Sequence, residues 1–307
     1  MCTVVVSLAP QDAVPLLLLG FRDELTTRPW RPPAAHWAGS PLIGGIDEQA
    51  GGTWLAVHPG IPRVACILNG RGQPAPEVTR RSRGELPLMA ARDGAKTLAA
   101  LAEGPAALAE APARLADYDP FHLVHADRTS VTVLSWDGRS ASERTLPPGT
   151  HLITNAGLDP ADPKVRHFAH AFAARRPSGS PGMSIAEAWQ PWLTLAEGDG
   201  LDPTDPRAIR VRKTLPDGRS YGTTSLSLVA LGLARLRYDF QSIPADAAPH
   251  PVEVLPERNS YPSRVGRPNS GNSRPVSRKQ LNRLNRSPEI SCTCSAHAAW
   301  PPAGSGL

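Results

Sequence analysis

Two apolar runs open this chain and set its first constraint. Thr3-Val4-Val5-Val6-Ser7-Leu8 is β-branched and short, and Leu16-Leu17-Leu18-Leu19 follows the turn Pro10-Gln11-Asp12. Apolar runs of this length, bounded by turn residues, read as buried strands. A short turn between them predicts a hairpin. Such a hairpin returns the residues after the second strand, Gly20 to Glu24, towards Cys2.

The rest of the chain reads as strands in clusters, then helices in clusters. Arg28 to Pro41 is rich in Pro and Trp and reads as irregular. Gly51-Gly52 feeds a strand through Val57, Arg63 to Asn69 is the next strand, and 70–85 is a polar, basic loop. Ala/Leu spacing predicts helices over Ala95 to Glu103 and Ala106 to Ala116, interrupted at Pro105 and Pro112. Thr129 to Trp136 and His151 to Thr154 read as strands. Asp162-Pro163 pairs an N-cap residue with Pro at the first helical position and opens a helix to Arg176. Ser184 to Glu197 reads as a helix bent at Pro191, and Tyr221 to Leu231 and Leu233 to Phe240 as the last strands. This order favours layered sheets flanked by helices over a doubly wound parallel sheet.

Beyond Gln241 the periodicity ends and Pro, Ser, Asn and Arg take over. The expectation is a folded domain over 1–242 and a disordered tail over 243–307. The net charge is +5, and the tail holds 8 Lys/Arg against 4 Asp/Glu, so it carries most of that excess. The domain is close to neutral, and nucleic acid is not an expected partner for it. Of the four cysteines, Cys66 sits in an apolar run, and Cys292 and Cys294 lie one residue apart in the tail. Neither a disulfide framework nor a zinc pattern is visible, so a reduced, cytoplasmic setting is expected. No segment reads as a signal peptide or as long enough to span a bilayer. His167 and His170, at i,i+3 on one helix, read as a solvated face rather than as metal ligands.

Three groups of residues carry chemistry. If Met1 is removed, Cys2 holds an α-amine and a thiol in one residue, with unperturbed pKa values near ~8 and ~8.5, so the amine can take the thiol proton. In the segment after the second strand, Arg22 is a cation able to lower the thiol pKa, and Asp23 can orient the ammonium. Asn69 and Asn155 each end an expected strand, and their amides can donate to a developing oxyanion.

The order and wording of these pieces resemble the NRDE family, also described as the Transport and Golgi organisation protein 2 family. The resemblance rests on Met1-Cys2-Thr3-Val4-Val5, Gly20-Phe21-Arg22-Asp23-Glu24 with Arg28-Pro29, Gly51-Gly52-Thr53-Trp54-Leu55 and Leu68-Asn69. It continues in Thr154-Asn155-Ala156-Gly157-Leu158-Asp159 with Pro163-Lys164-Val165, in Tyr221-Gly222-Thr223-Thr224-Ser225 and in Arg237-Tyr238-Asp239-Phe240. What it implies is an α+β fold, a four-layer αββα sandwich like that of N-terminal nucleophile hydrolases. It also implies Cys2 as nucleophile, Arg22 and Asp23 in support, and Asn155 with Asn69 at the oxyanion. The substrate class would be a small N-acyl amide, handled through a Cys acyl-enzyme without a cofactor. The alternative is a non-catalytic carrier of haem or acyl-CoA. Two positions depart from the family pattern: Phe21 stands where its Asn-Arg-Asp-Glu begins, and Thr224 follows Tyr-Gly-Thr where relatives carry Arg.

Overall fold

The computed structural model describes residues 3–94, 96–97, 101, 115–243 and 253–254. The elements are β1 (Thr3–Leu8), β2 (Leu16–Leu25), β3 (Trp30–Ala34), β4 (Ile43–Asp47), β5 (Leu55–His58), β6 (Arg63–Asn69) and α1 (Leu86–Asp93). They continue with β7 (Phe121–Asp127), β8 (Val131–Trp136), β9 (Ala141–Leu146), β10 (Gly149–Thr154), α2 (Pro163–Ala174) and α3 (Ile185–Ala196). The last are β11 (Arg212–Thr214), β12 (Ser220–Leu231), β13 (Leu236–Ser242) and β14 (Glu253–Val254). One sheet runs β10-β1-β2-β12-β13-β14, with β11 also on β12, and the other runs β3-β4-β5-β6-β7-β8-β9.

The two sheets pack face to face. Val4, Val6, Leu8, Leu16 and Leu18 meet Val57, Val64, Cys66, Leu68 and Val124 in one buried cluster. The opposite face of β1 and β2 presents Val5, Leu17, Leu19 and Phe21 to Phe168, Phe172, Trp189 and Trp192 of α2 and α3. The outer face of the second sheet presents Ala65, Leu123 and Leu134 to Leu86 and Ala90 of α1. Side chains along a strand alternate between faces, so the unbroken Leu16–Leu19 run feeds both clusters. The expected four-layer arrangement of two sheets flanked by helices is therefore the architecture. Among the described residues, no helix is long and apolar enough to cross a membrane.

Several local expectations are corrected. The stretch read as irregular contains β3. Its Pro32 and Pro33 remove two donors, and the pairing with β4 skips between Arg31 and Ala34, which an edge strand tolerates. β4 was not expected. It carries Gly44-Gly45, where a Cβ at Gly45 would collide with the Trp54 ring, so close packing rather than strand propensity selects glycine. β7, β9 and α1 were also not expected, and α1 begins with Pro87 in its first turn. The predicted helices 95–103 and 106–116 lie almost wholly outside the described residues. The last long strand starts at Leu236 rather than Leu233. Within the segment expected to be disordered, Ile243 N donates to Thr224 O, and Glu253–Val254 pair with Asp239 and Phe240. The remainder of that segment lies outside the described residues.

A buried ion pair ties α3 to the first sheet. Asp239, fully buried on β13, accepts from Arg237 Nε and from Trp189 Nε1 (2.7 Å) of α3. Arg237 Nη1 also donates to the carbonyls of Ser180 (2.8 Å) and Met183 (2.9 Å) ahead of α3. Removing one partner of a buried pair leaves the other charge uncompensated. Asp239→Ala is expected to destabilise the protein by about 3–5 kcal/mol, read as a lower urea midpoint.

Candidate functional site

β2 is longer than its leucines. It runs to Leu25, so Phe21, Arg22, Asp23 and Glu24 lie within the strand rather than after it. On one side they pair with Leu226, Ser225, Thr223 and Gly222 of β12. On the other, Phe21 is the Cα partner of Thr3, the first described residue of β1. Thr3 is also the partner of Thr154, the last residue of β10. The strand ends carrying Arg22, Asp23 and Asn155 therefore converge at the start of β1.

Alternation sends Arg22 and Asp23 to opposite faces. Arg22 is 3% exposed and lies on the inter-sheet side, with its guanidinium 4.5 Å from the Trp54 ring centroid and 5.7 Å from that of Trp30. Cation–π contacts of this kind strengthen when desolvated. Nη1 donates to Thr224 Oγ1 (2.9 Å), and Nη2 donates to Asp47 Oδ2 (3.4 Å). Thr224 is the extra residue of a bulge in β12, between Thr223 opposite Asp23 and Ser225 opposite Arg22. Bulges re-aim side chains. Here the hydroxyl turns back to accept from the guanidinium and donates to Arg22 O (3.1 Å). Asp23 is 4% exposed and accepts from Thr223 Oγ1 (2.6 Å).

Phe21 packs into the helix-side cluster, on the face opposite Arg22. Its replacement of a polar residue thus bears on the Asp23 side of the sheet, not on the guanidinium.

The electrostatics follow from burial. Desolvation lowers the Arg22 pKa against the opposing charges of Glu24 and Asp47. Burial would raise the Asp47 carboxyl. The Arg28 hydrogen bond and charge, the Ala50 N–H and Arg22 outweigh it and hold the group below the ordinary carboxylate range. Arg28 meets Asp47 with two bonds, Nε to Oδ2 (2.6 Å) and Nη2 to Oδ1 (3.1 Å). Paired geometry of this kind is the strong form of a charge-assisted contact.

Asn155 follows β10 in a tight turn, where Thr154 N donates to Gly157 O (3.1 Å) and Gly157 N to Thr154 O (2.9 Å). Gly157 has φ +75°, and a Cβ there would press on the His122 ring. His122, from β7 of the other sheet, lies 2.8 Å by Nδ1 from Ser135 Oγ. Burial lowers its pKa, with the Asn155 backbone acting in the opposite sense. The Asn155 Oδ1 is buried and has no hydrogen-bond partner among the described residues. An unpaired buried acceptor is costly, and such sites are explained by a missing donor.

Two clefts meet at Asp23. One, of about 620 Å³, is lined by Arg22, Asp23, Asp47, Trp54 and Asn69 together with Arg80, Arg81 and Arg83. The other, of about 350 Å³, is lined by Asp23, Arg71, Asn155, Lys164 and Tyr221. Asn69 and Asn155 thus line different clefts rather than one. Asn69 ends β6 with an exposed side chain. Cys2 lies outside the described residues. Cys66 is buried between the sheets, where desolvation pushes its thiol up to about 12. His167 bonds Asp199 (2.9 Å) at the surface.

Sequence reasoning missed Asp47 and His122 as members of this region, and it named Thr224 only as a departure from the family pattern and Trp54 only within a resembling motif. For Asp47 one signal was available. Asp-Glu-Gln-Ala-Gly is a turn in which Oδ1 accepts from Gln49 N and Ala50 N. Nothing local marks its contact with Arg22.

A family model described as Transport and Golgi organisation 2 matches residues 1–231. No curated protein matches. Among solved structures, an N-acylethanolamine-hydrolyzing acid amidase ortholog from Caenorhabditis elegans is 11% identical, with TM-score 0.41, covering 83% of this chain and 100% of its own. A mutant of the conjugated bile acid hydrolase from Clostridium perfringens is 10% identical, with TM-score 0.41, covering 85% of this chain and 98% of its own.

Asp47→Asn keeps the shape but removes the counter-charge of Arg22 and Arg28, and is expected to cost about 1–3 kcal/mol at neutral pH. The sign of the pH effect is set by the lowered Asp47 pKa. Its contribution is complete above the unfolded value near ~3.9 and is lost as pH falls through the lower folded value. Urea unfolding followed from neutral to acid pH should therefore fall less steeply in the variant.

Proposed function

This chain belongs to the Transport and Golgi organisation 2 family, and we propose that it hydrolyses small N-acyl amides with Cys2 as an amino-terminal nucleophile. One observation carries this reading: the meeting of the Arg22, Asp23 and Asn155 strand ends beside Thr3. Cys2 is one peptide unit from Thr3, so the two Cα atoms lie about 3.8 Å apart. The even positions Val4, Val6 and Leu8 face the space between the sheets, as Arg22 does.

The chemistry follows from that placement. Removal of Met1 frees the α-amine of Cys2, which takes the thiol proton. The Arg22 cation favours the thiolate. Sulfur attacks the amide carbonyl carbon, and the Asn155 amide N–H groups face the oxyanion. The C–N bond breaks as the leaving amine takes the proton from the α-ammonium, leaving a thioester on Cys2. Water adds to the thioester, its proton passes to the α-amine, and the carboxylic acid leaves as the thiol is restored. Asp23 orients the ammonium. The unpaired Asn155 Oδ1 is an acceptor for an N–H of the ammonium or of the substrate amide.

Intact mass with and without a thiol-reactive acylating probe tests this. The expected result is a chain lacking Met1 that gains one adduct at Cys2. Peptide mapping separates that adduct from Cys292 and Cys294, while Cys66 stays unmodified in the folded protein. Cys2→Ala should lose the adduct, and Arg22→Met should slow its formation at least tenfold at neutral pH. Retention of Met1 in every molecule rejects the proposal.

A further inference from the structure

We propose that the recess beside Thr224 is a binding site for a small oxyanion, a carboxylate or phosphate group, anchored by Arg210. The recess has a volume of about 240 Å³, and Arg210, Arg212, Trp30, Ser242 and Ile243 are among its walls. Two lining residues are cationic and none is acidic.

Arg210 lies in the connection between α3 and β11, and its neighbours fix it. Ala208 and Ile209 are buried at 1% and 0% exposure. Val211 N donates to Thr223 Oγ1 (2.9 Å), and Val211 O accepts from Thr223 N (2.8 Å). The backbone cannot swing the side chain away without breaking these bonds.

The Arg210 Nε is buried and makes no hydrogen bond among the described residues. Burial lowers its pKa, and the charge of Glu197, exposed at the end of α3, opposes that shift from a distance. A guanidinium stays charged in proteins, and this half-buried one has an Nε shut off from water with no acceptor among the described residues, which is unfavourable. An oxyanion in the recess would supply both counter-charge and acceptor in the geometry a guanidinium fork matches.

The walls narrow the ligand. Thr224 Oγ1 is committed to Arg22 and Thr223 Oγ1 to Asp23. These two hydroxyls therefore separate the recess from the Arg22–Asp23 pair and are not its donors. Arg212 and Ser242 remain to supply donors at the rim. The volume falls below the roughly 300–1,000 Å³ usual for drug-sized ligands. A small anion with a short apolar part against Trp30 and Ile243 fits, and a nucleotide or bulky cofactor does not. This site needs no turnover and stands whether or not Cys2 is a nucleophile.

The test is calorimetric titration of the full chain with inorganic phosphate and, separately, with acetate, at constant ionic strength. Saturable binding of either by the parent is expected, and which one binds distinguishes a phosphate-type from a carboxylate-type ligand. Arg210→Ala should weaken that binding at least tenfold, as should Arg210→Met, which keeps the apolar stem. Arg144→Ala, on the exposed strand β9, should leave it unchanged. Thermal unfolding checks that the Arg210 variants fold. No saturable binding of either anion by the parent overturns the proposal. So does parent-like binding in both Arg210 variants, or an equal loss in Arg144→Ala.

Discussion

A guanidinium almost wholly removed from water sets the terms for this structure. Burying the Arg22 charge is unfavourable unless every side of it is answered. Here the answers come from four elements: Asp47 of β4, Trp54 ahead of β5, Trp30 of β3 and the bulged Thr224 of β12. The first three belong to or precede strands of the second sheet, and the fourth to the first sheet. The cation therefore sits where the two sheets must agree in position. Asp47 in turn is held by two bonds from Arg28 and by the turn amides of Gln49 and Ala50. The contacts that neutralise the charge also fix its direction.

The same sandwich explains why Arg22, Asp23 and Asn155 gather at one end. β1 is flanked by β2 and β10, and all three are covered on both faces along their apolar lengths. Past Phe21 and Thr154 the chain carries Arg22, Asp23 and Asn155. Rigid strands then present Arg22 and Asp23 on one flank and Asn155 on the other, while His122 and Ser135 brace the Asn155 turn from the second sheet. Groups placed on strands are held more tightly than groups on loops.

Much of this was legible from residue order. The β1–β2 hairpin, the strand ending at Asn69, the helices opened by Asp162 and Ser184, and layered sheets flanked by helices all follow from apolar periodicity and caps, which are local signals. Asp162 does accept from Lys164 N, and Ser184 with Glu187 forms a capping box. The resemblance to the NRDE family marked Arg22, Asp23 and Asn155 for the same region. β3 and β4 were not legible, because prolines and glycines mask strand propensity where an edge position or a close aromatic contact selects them. The distinction between Asn69 and Asn155 was also hidden. Both end strands, but in different sheets, and only the packing of those sheets decides which cleft each lines.

What the sequence by itself determined is the set of local preferences: which runs bury both faces, where helices begin, and that one short segment carries Arg and Asp directly after leucines. Tertiary structure alone decided which partners those charges meet. Asp47 is 25 residues from Arg22 along the chain, and Thr224 is 202. The alternation of a strand sends Arg22 and Asp23 to opposite faces, and the bulge at Thr224 turns one hydroxyl towards the guanidinium. The first effect is local to β2, but the second reaches Arg22 from 202 residues away along the chain. Hydrophobic periodicity acts within a few residues, whereas a buried charge is answered by whatever the fold brings within hydrogen-bond reach.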